Sequence, residues 1–308
     1  MKISIIIPLY NKEDYIHQTL TSLLSMDTVD GIETDIIVID DGSTDKSAEL
    51  VNSIKSDKIH YFKKNNGGPS SARNFGILKS SADYIFLFDA DDIIKSNALL
   101  IFNDSYKSLP NEDVYCFSYD KTSQHNNTKL TKSSIIRVNN FYKRWATGNF
   151  FCSSSIIINR EFLLSNNLFF EENVRSGEDQ LLWFKINEIT DFIYNSQIIA
   201  TYRDEIQTSI TNSYVDLDIN DYVVYLSNFL QDNRNIKSDE YRSIKKIMEF
   251  SLQRTVIANL KLGNRGKALT LLREYTYLLL NVKNAIRFLI CFISPKFYRY
   301  LTSSMRAK

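Results

Sequence analysis

The chain opens on a β-branched run, Ile3-Ser4-Ile5-Ile6-Ile7, that stops at Pro8. Such a run suits a strand buried on both faces of a parallel sheet. Tyr15, Ile16, Leu20, Leu23 and Leu24 then recur at helical spacing within residues 13–25. Asp35-Ile36-Ile37-Val38-Ile39 repeats the strand signal and ends on Asp40-Asp41-Gly42-Ser43. Ser43 or Thr44 can cap the next helix, which runs through Ala48, Leu50, Val51 and Ile54. Ile59 to Phe62 predicts a third strand; after the loop Asn65-Asn66-Gly67-Gly68-Pro69, Ser70 or Ser71 can cap a helix carrying Ala72, Phe75, Ile77 and Leu78. Tyr84 to Phe88 is a fourth strand, with Asp89-Ala90-Asp91-Asp92 at its carboxyl end. This alternation predicts a doubly wound α/β sheet, in which ligands bind beyond the carboxyl ends of the strands. The polar clusters at 40–43 and 89–92 fall at those ends.

Beyond residue 100 the pattern is less regular. Residues 103–150 mix apolar and polar positions, and a polar stretch near 120–134 reads as surface loop. Ser153 to Ile158 predicts a strand, Gly177-Glu178-Asp179 the start of a helix reaching Trp183, and Tyr194 to Tyr202 a further strand. From about Asp216 the period is helical, through Tyr222, Val223, Leu226, Phe229 and Leu230, then Ile244 to Leu260 and Ala268 to Leu280. The chain thus divides into an α/β part, residues 1–212, and a helical C-terminal extension, residues 213–308.

Composition narrows the function classes. With 44% apolar and 13% aromatic residues the chain can bury a substantial core, and its formal net charge of +1 leaves no basic surplus for nucleic acid. Cys116, Cys152 and Cys291 are odd in number and widely spaced. That argues against a disulfide framework or structural zinc and for a reducing, cytoplasmic compartment, which makes the sequon Asn126-Asn127-Thr128 incidental. His17, His60 and His125 stand apart and read as surface or loop positions. The first apolar run holds Pro8 and leads into Asn11-Lys12-Glu13-Asp14, unlike a signal peptide. No stretch reaches the ~20 apolar residues of a membrane span, so the expectation is a soluble or peripheral protein.

Four clusters carry candidate chemistry. Asp89-Ala90-Asp91 offers two carboxylates to one side of a strand end, a donor set suited to Mn²⁺ or Mg²⁺ holding a diphosphate; it can equally be a solvated loop in which Asp91 or Asp92 caps a helix. In Asp40-Asp41-Gly42-Ser43 one carboxylate could accept from a pyrimidine N–H, while Ser43, Thr44 or Asp45 caps. Gly67 and Gly68 allow close approach of backbone to ligand, and Arg73 behind them presents a planar fork for phosphate or carboxylate, or is a surface arginine. Glu178 and Asp179 suit a general base for a sugar hydroxyl, or are first-turn charges favourable to the helix dipole.

As a set these clusters resemble the family 2 glycosyltransferases, over residues 2–210. The matching pieces are Ser4 to Asn11, Ile39 to Asp45, Asn66-Gly67-Gly68-Pro69 with Ala72-Arg73-Asn74, Phe88 to Asp92, and Gly177-Glu178-Asp179. The resemblance implies a GT-A-like fold, a single nucleotide-binding α/β domain with a mostly parallel central sheet. Residues 1–100 would bind the nucleotide and 101–212 the acceptor. It implies that Asp41 contacts uracil, that Pro8 and Tyr10 line the base pocket, and that Arg73 lies beside the nucleotide. Asp89 and Ala90 would lie near ribose and metal, Asp91 would be the principal ligand of Mn²⁺ or Mg²⁺, and Asp179 the base with Glu178 beside it. The implied reaction is inverting transfer of a hexose or N-acetylhexosamine from a UDP-sugar to a hydroxyl of a lipid-linked saccharide in surface-polysaccharide assembly. A noncatalytic nucleotide-sugar-binding or partner-scaffolding protein of the same fold is the alternative, against which the joint presence of Asp89, Asp91 and Asp179 argues. Pro8-Leu9-Tyr10-Asn11 stands where a dinucleotide-binding enzyme would carry G-x-G-x-x-G.

The chain departs from the family pattern twice. Polymerising members carry Gln-x-x-Arg-Trp soon after the base, whereas here Gln180-Leu181-Leu182-Trp183-Phe184 follows, which predicts single addition. Many relatives also complete the metal site with a histidine. The comparable stretch from Tyr202 to Ser209 has none and offers Arg203 or Ser209 to the diphosphate instead. Last, no acidic residue follows Glu274, and Lys283, Arg287, Lys296, Arg299, Arg306 and Lys308 interleave with Phe288, Leu289, Phe292, Ile293, Phe297, Tyr298 and Tyr300. Such a tail can lie on an anionic membrane or pack on the core with its cations outward.

Overall fold

A computed structural model describes residues 1–123, 134–174, 176–205, 217–233 and 235–298. His125, the sequon, Ser209, Arg299, Tyr300, Arg306 and Lys308 lie outside the described residues. The chain forms two compact units, residues 1–206 and 207–308.

The first unit begins β1 (Lys2–Leu9), α1 (Ile16–Leu24), β2 (Glu33–Asp40), α2 (Ser47–Ser53), β3 (Ile59–Lys63), α3 (Gly68–Lys79) and β4 (Tyr84–Leu87). It continues β5 (Ile93–Ile94), α4 (Ala98–Ser108), β6 (Val114–Lys121), β7 (Ile135–Val138), α5 (Phe141–Trp145), β8 (Ile156–Asn159), α6 (Arg160–Ser165), α7 (Glu178–Asn187) and β9 (Phe192–Tyr202). Among the described residues the strands form one sheet in the order β3-β2-β1-β4-β8-β6-β9-β5, with β7 pairing β9. The first four strands run parallel, as the buried runs predict. Beyond β4 the sheet is mixed, because β8 runs antiparallel to both β4 and β6 while β6 and β9 are parallel.

Burial follows the pattern. Ile3, Ile5, Ile6 and Ile7 of β1 are fully buried between strands and helices. Gly76 of α3 lies so close to β1 that an added Cβ would meet Ile6 Cγ2 at 2.4 Å; the glycine lets helix and sheet approach. A second, aromatic core of Phe141, Trp145, Phe151, Phe184 and Phe192 ties α5 and α7 to β9. It fixes the start of α7 at the edge of the site.

Helix starts differ from expectation. α2 begins at Ser47, where Asp45 Oδ1 accepts from Ser47 N at 2.9 Å, so neither Ser43 nor Thr44 caps it. Those two residues bind the loop after β1 instead. Ser70 and Ser71 lie inside α3, which starts at Gly68 with Pro69 in its first turn. Ser153–Ser155 is a short 3-10 turn before β8 rather than strand.

The second unit is helical: α8 (Asp221–Asp232), α9 (Ser238–Lys261), α10 (Arg265–Glu274) and α11 (Val282–Ile293). Asn284, Phe288 and Cys291 form the buried face of α11, and Asn284 Nδ2 donates to Glu249 Oε1 of α9 at 2.8 Å. Among the described residues no helix is long and apolar enough to cross a membrane.

Candidate active site

The loop after β4 is held from three sides. Thr19 Oγ1 donates to the carbonyls of Ala90 and Asp92, each at 2.9 Å. Ser154 Oγ accepts from Asp89 N at 3.0 Å and donates to Asp92 Oδ2 at 2.5 Å, and Arg203 N donates to Asp92 Oδ1 at 3.1 Å. Asp92 is therefore the buried anchor of the loop. Burial first, then the charge of Asp89, pushes its carboxyl well above the ordinary range. No helix starts here, so capping does not explain the acidic triplet; Asp89 and Asp91 are left facing outward, partly accessible.

Each of those carboxylates meets a cation. Lys12 Nζ lies 2.5 Å from Asp91 Oδ2. Arg73 Nη2 donates to Asp89 Oδ1 at 2.9 Å. The arginine is buried under the ring of Phe170, 5.2 Å from its centroid, and its Nη1 lies 3.4 Å from Glu178 Oε1 and 3.3 Å from Asp179 Oδ1. Residues from three distant segments thus converge on one guanidinium. The resemblance sets Arg73 beside the nucleotide; the structure commits its fork to three carboxylates. Asn74 completes the join, donating to Phe170 O at 2.8 Å and accepting from Phe170 N at 2.9 Å.

Glu178 and Asp179 open α7 behind Gly177, whose φ of +80° is the left-handed conformation that glycine adopts without strain. Burial, then the neighbouring Asp179 charge, pushes Glu178 up to about 7 against the pull of Arg73. Burial raises Asp179 as well, offset by Arg73 and by the hydrogen bond from Ser153 Oγ to its Oδ2. Its other oxygen, Oδ1, is buried and takes no hydrogen bond.

Asp41, at the end of β2, is buried and occupied. Its Oδ1 accepts from Lys64 Nζ at 2.7 Å and Gly67 N at 2.9 Å, and its Oδ2 from Gly68 N at 2.7 Å. Gly68 has φ +87°, so a side chain there would strain the turn that aims its N–H at Asp41. Asp41 thus shapes the loop, and any contact with a base must use the remaining lone pair of Oδ2. Its own N–H donates to Leu9 O at 2.8 Å, which sets it beside the end of β1, where Pro8 is half-buried and Tyr10 exposed. Arg203, a candidate for the diphosphate, instead lies over the Tyr15 ring at 5.3 Å and donates to Gln18. His17 is exposed on α1; His60 belongs to β3, 3.8 Å from Asp35.

For a divalent cation the donor chemistry fits, with two hard carboxylates and little more. Among the described residues no group of three or more His, Cys, Asp and Glu side chains is placed so that it could hold a metal ion. Asp91 Oδ1 and Asp89 Oδ2 take no protein donor there, so a cation would draw the rest of its shell from phosphate oxygens and water. Because β6 runs the same way as β4, its end lies on the same side of the sheet. There a cleft of about 470 Å³ is lined by Ser118, Tyr119, Lys121, Asn149, Phe150 and Tyr194.

Lys12, Ser153 and Ser154 escaped the reading of the sequence. Serines give no signal until the fold sets them against a carboxylate, whereas Lys12 could have been found as the first cation after the β1 end.

Residues 4–167 match the model of Glycosyl transferase family 2, and the chain belongs to that family. An uncharacterized glycosyltransferase of Rickettsia bellii is 34% identical over 201 residues, which cover 60% of this chain and 26% of that protein. The chain therefore spans about a quarter of that relative's length. Two solved structures share the fold. S. aureus TarS 1-349 in complex with UDP-GlcNAc superposes with a TM-score of 0.69 at 20% identity, over 89% of this chain and 80% of that one. The mannosyltransferase PcManGT of Pyrobaculum calidifontis, in complex with GDP-Man and Mn²⁺, gives 0.56 at 16% identity, over 96% and 87%.

Proposed function

We propose that the chain is an inverting, non-processive glycosyltransferase that moves a hexose or N-acetylhexosamine from a UDP-sugar to a hydroxyl of a lipid-linked saccharide during surface-polysaccharide assembly. The observation that carries this reading is Asp179 Oδ1, a buried carboxylate oxygen that takes no hydrogen bond and lies 3.3 Å from Arg73. Arg73 pairs with that oxygen ionically and gives it no hydrogen bond, and a base needs an oxygen with a lone pair open to receive a proton. In the reaction the acceptor hydroxyl gives its proton to Asp179 as its oxygen bonds to the anomeric carbon. The bond from that carbon to the β-phosphate oxygen breaks, and the nucleoside diphosphate leaves with the electron pair. Asp91 and Asp89 would hold Mn²⁺ or Mg²⁺, which when bound would neutralise charge on the departing diphosphate. Pro8, Tyr10, Asp41 and Ala90 form the nucleotide side, Arg73 and Glu178 orient the base, and the cleft between β6 and residues 148–150 receives the acceptor.

UDP is assigned from the family pattern and the TarS complex; because a fold neighbour holds GDP-Man, guanosine donors belong in the test. A panel of UDP- and GDP-sugars with Mn²⁺ or Mg²⁺, read by thermal shift and by donor hydrolysis, should respond to one or more UDP-sugars. Silence toward every UDP-sugar would sink the assignment. Asp179→Asn should keep the donor's thermal shift and lose turnover by about 10²–10⁴-fold; turnover at the wild-type rate would remove Asp179 as base. We further assign the second unit to peripheral contact with the anionic cytoplasmic face of a membrane, on the apolar face that α11 turns outward.

A further inference from the structure

Lys12 is a charged residue in the site that the reading above leaves without a task. Its backbone is fixed. Asn11, at φ +49°, turns the chain after β1 and is tied to the next strand end, accepting on its Oδ1 from Thr44 N at 2.9 Å while its own N donates to Ser43 Oγ at 3.1 Å. Lys12 N donates to Ser47 Oγ at 2.8 Å, and Lys12 O accepts from Tyr15 N and Ile16 N at 3.0 and 2.9 Å. From that fixed base a flexible stem carries the ammonium to Asp91 Oδ2, with only 19% and 15% of the two side chains accessible.

A divalent cation on either oxygen of Asp91 would sit close to that ammonium, and like charges repel strongly where water is scarce. Nor can Lys12 simply be lost. Among the described residues, Asp89, Asp91, Glu178 and Asp179 have Arg73 and Lys12 as their only ion-pair partners, two cations against four acids. A cation arriving with a diphosphate brings positive and negative charge together, so balance is kept if the ammonium stays and changes partner. Resting on the assignment of Asp91 as metal ligand, we propose that Lys12 is an exchangeable cation. It guards Asp91 against metal alone, and it moves to the diphosphate when metal and donor bind together, making the two interdependent.

The test uses the whole protein, with Mn²⁺ alone and UDP as probes. Free Mn²⁺ is counted by electron paramagnetic resonance, and UDP binding in the presence of Mn²⁺ is measured by calorimetry. Lys12→Met should bind Mn²⁺ alone at least about tenfold more tightly, and UDP with Mn²⁺ about tenfold more weakly. Lys12→Arg should keep Mn²⁺ affinity low, since charge rather than shape does the guarding. A merely structural lysine would lower both affinities or neither, and either result overturns the proposal. Asp91→Asn separates the two levels: if it binds Mn²⁺ as the wild type does, the metal assignment fails and takes this inference with it. If Asp91→Asn abolishes Mn²⁺ binding while Lys12→Met leaves it unchanged, only the role of Lys12 falls. Melting curves of each variant establish that it is folded.

Discussion

Arg73 is the residue on which most of the site depends, and removing it has a calculable sign. Arg73→Met would leave Asp89, Glu178 and Asp179 without their shared counterion in a shielded pocket. The cost should be about 3–5 kcal/mol, measured by chemical denaturation, because an unpaired buried charge is far worse than no charge. The pH dependence follows from Glu178. Its carboxyl is raised from its ordinary 4.5 to about 7, by burial and then by Asp179, so the fold favours the protonated form. The stability this group contributes is full below about pH 4.5 and is lost as pH rises through about 7. Glu178→Gln should flatten the decline between pH 5 and 8 seen in the wild-type denaturation midpoint; a decline of unchanged slope would refute the assignment. Ser153→Ala removes a hydrogen bond that holds Asp179 down, so the acid limb of kcat/KM should move to higher pH with the alkaline limb unmoved. The carboxylates themselves were legible because acids at strand and helix ends stand out in the chain. Their partners were not: Ser153, Ser154 and Lys12 acquire meaning only through contacts across 26, 62 and 79 residues.

At the scale of elements, two glycines in helices make opposite predictions. Gly76→Ala drives a methyl to within 2.4 Å of Ile6 Cγ2 in the close join of α3 and β1, so it should cost about 1–3 kcal/mol as overpacking. Because α3 also carries Arg73, activity should fall further than folded fraction alone explains. Gly266→Ala, in the first turn of α10 with nothing within 4 Å of the new methyl, should stabilise by roughly 0.4–1 kcal/mol. Thermal melts of the two variants, moving in opposite directions, check both. The same elements show what periodicity can read. β1, β2 and β4 were legible because parallel strands covered on both faces appear as continuous apolar runs, and β3, a half-buried edge strand, by its short apolar run Ile59 to Phe62. β6 was not, since its buried Val114, Tyr115, Cys116 and Phe117 pass into Ser118, Tyr119 and Lys121, which are half-exposed at the cleft. The antiparallel turn of β8 against β4 was beyond reach too, because register and direction leave no trace in composition. That reversal sets Ser153 and Ser154 against Asp179 and Asp92, so the part of the topology hidden from the sequence is also the part that completes the site.

At the scale of the molecule, the open matter is where the enzyme works, and α11 makes a definite prediction. The helix is apolar on two sides. Asn284, Phe288 and Cys291 face inward, while Ile286, Leu289 and Ile293, with Phe297 beyond the helix end, are each more than half exposed. Their spacing of three and four residues keeps them on one stripe. Lys283, Arg287 and Lys296 are exposed beside it, and no acidic residue follows Glu274. An outward stripe of this size is costly in water unless something covers it, and its cationic border matches an anionic lipid surface at about 1 kcal/mol per charge. Flotation with vesicles containing anionic phospholipid should carry the wild-type chain upward. Neutral vesicles should carry less, and raised salt should weaken the anionic binding through screening. The combined variant Ile286→Ser, Leu289→Ser and Ile293→Ser should stay at the bottom with its melting temperature nearly unchanged, because the substituted side chains bear on solvent and not on α9. Equal flotation of the variant would strip the stripe of this role and leave α11 as packing alone. Loss of flotation with transfer to a soluble acceptor intact would show that the second unit delivers the enzyme to its substrate without contributing to the chemistry at Asp179.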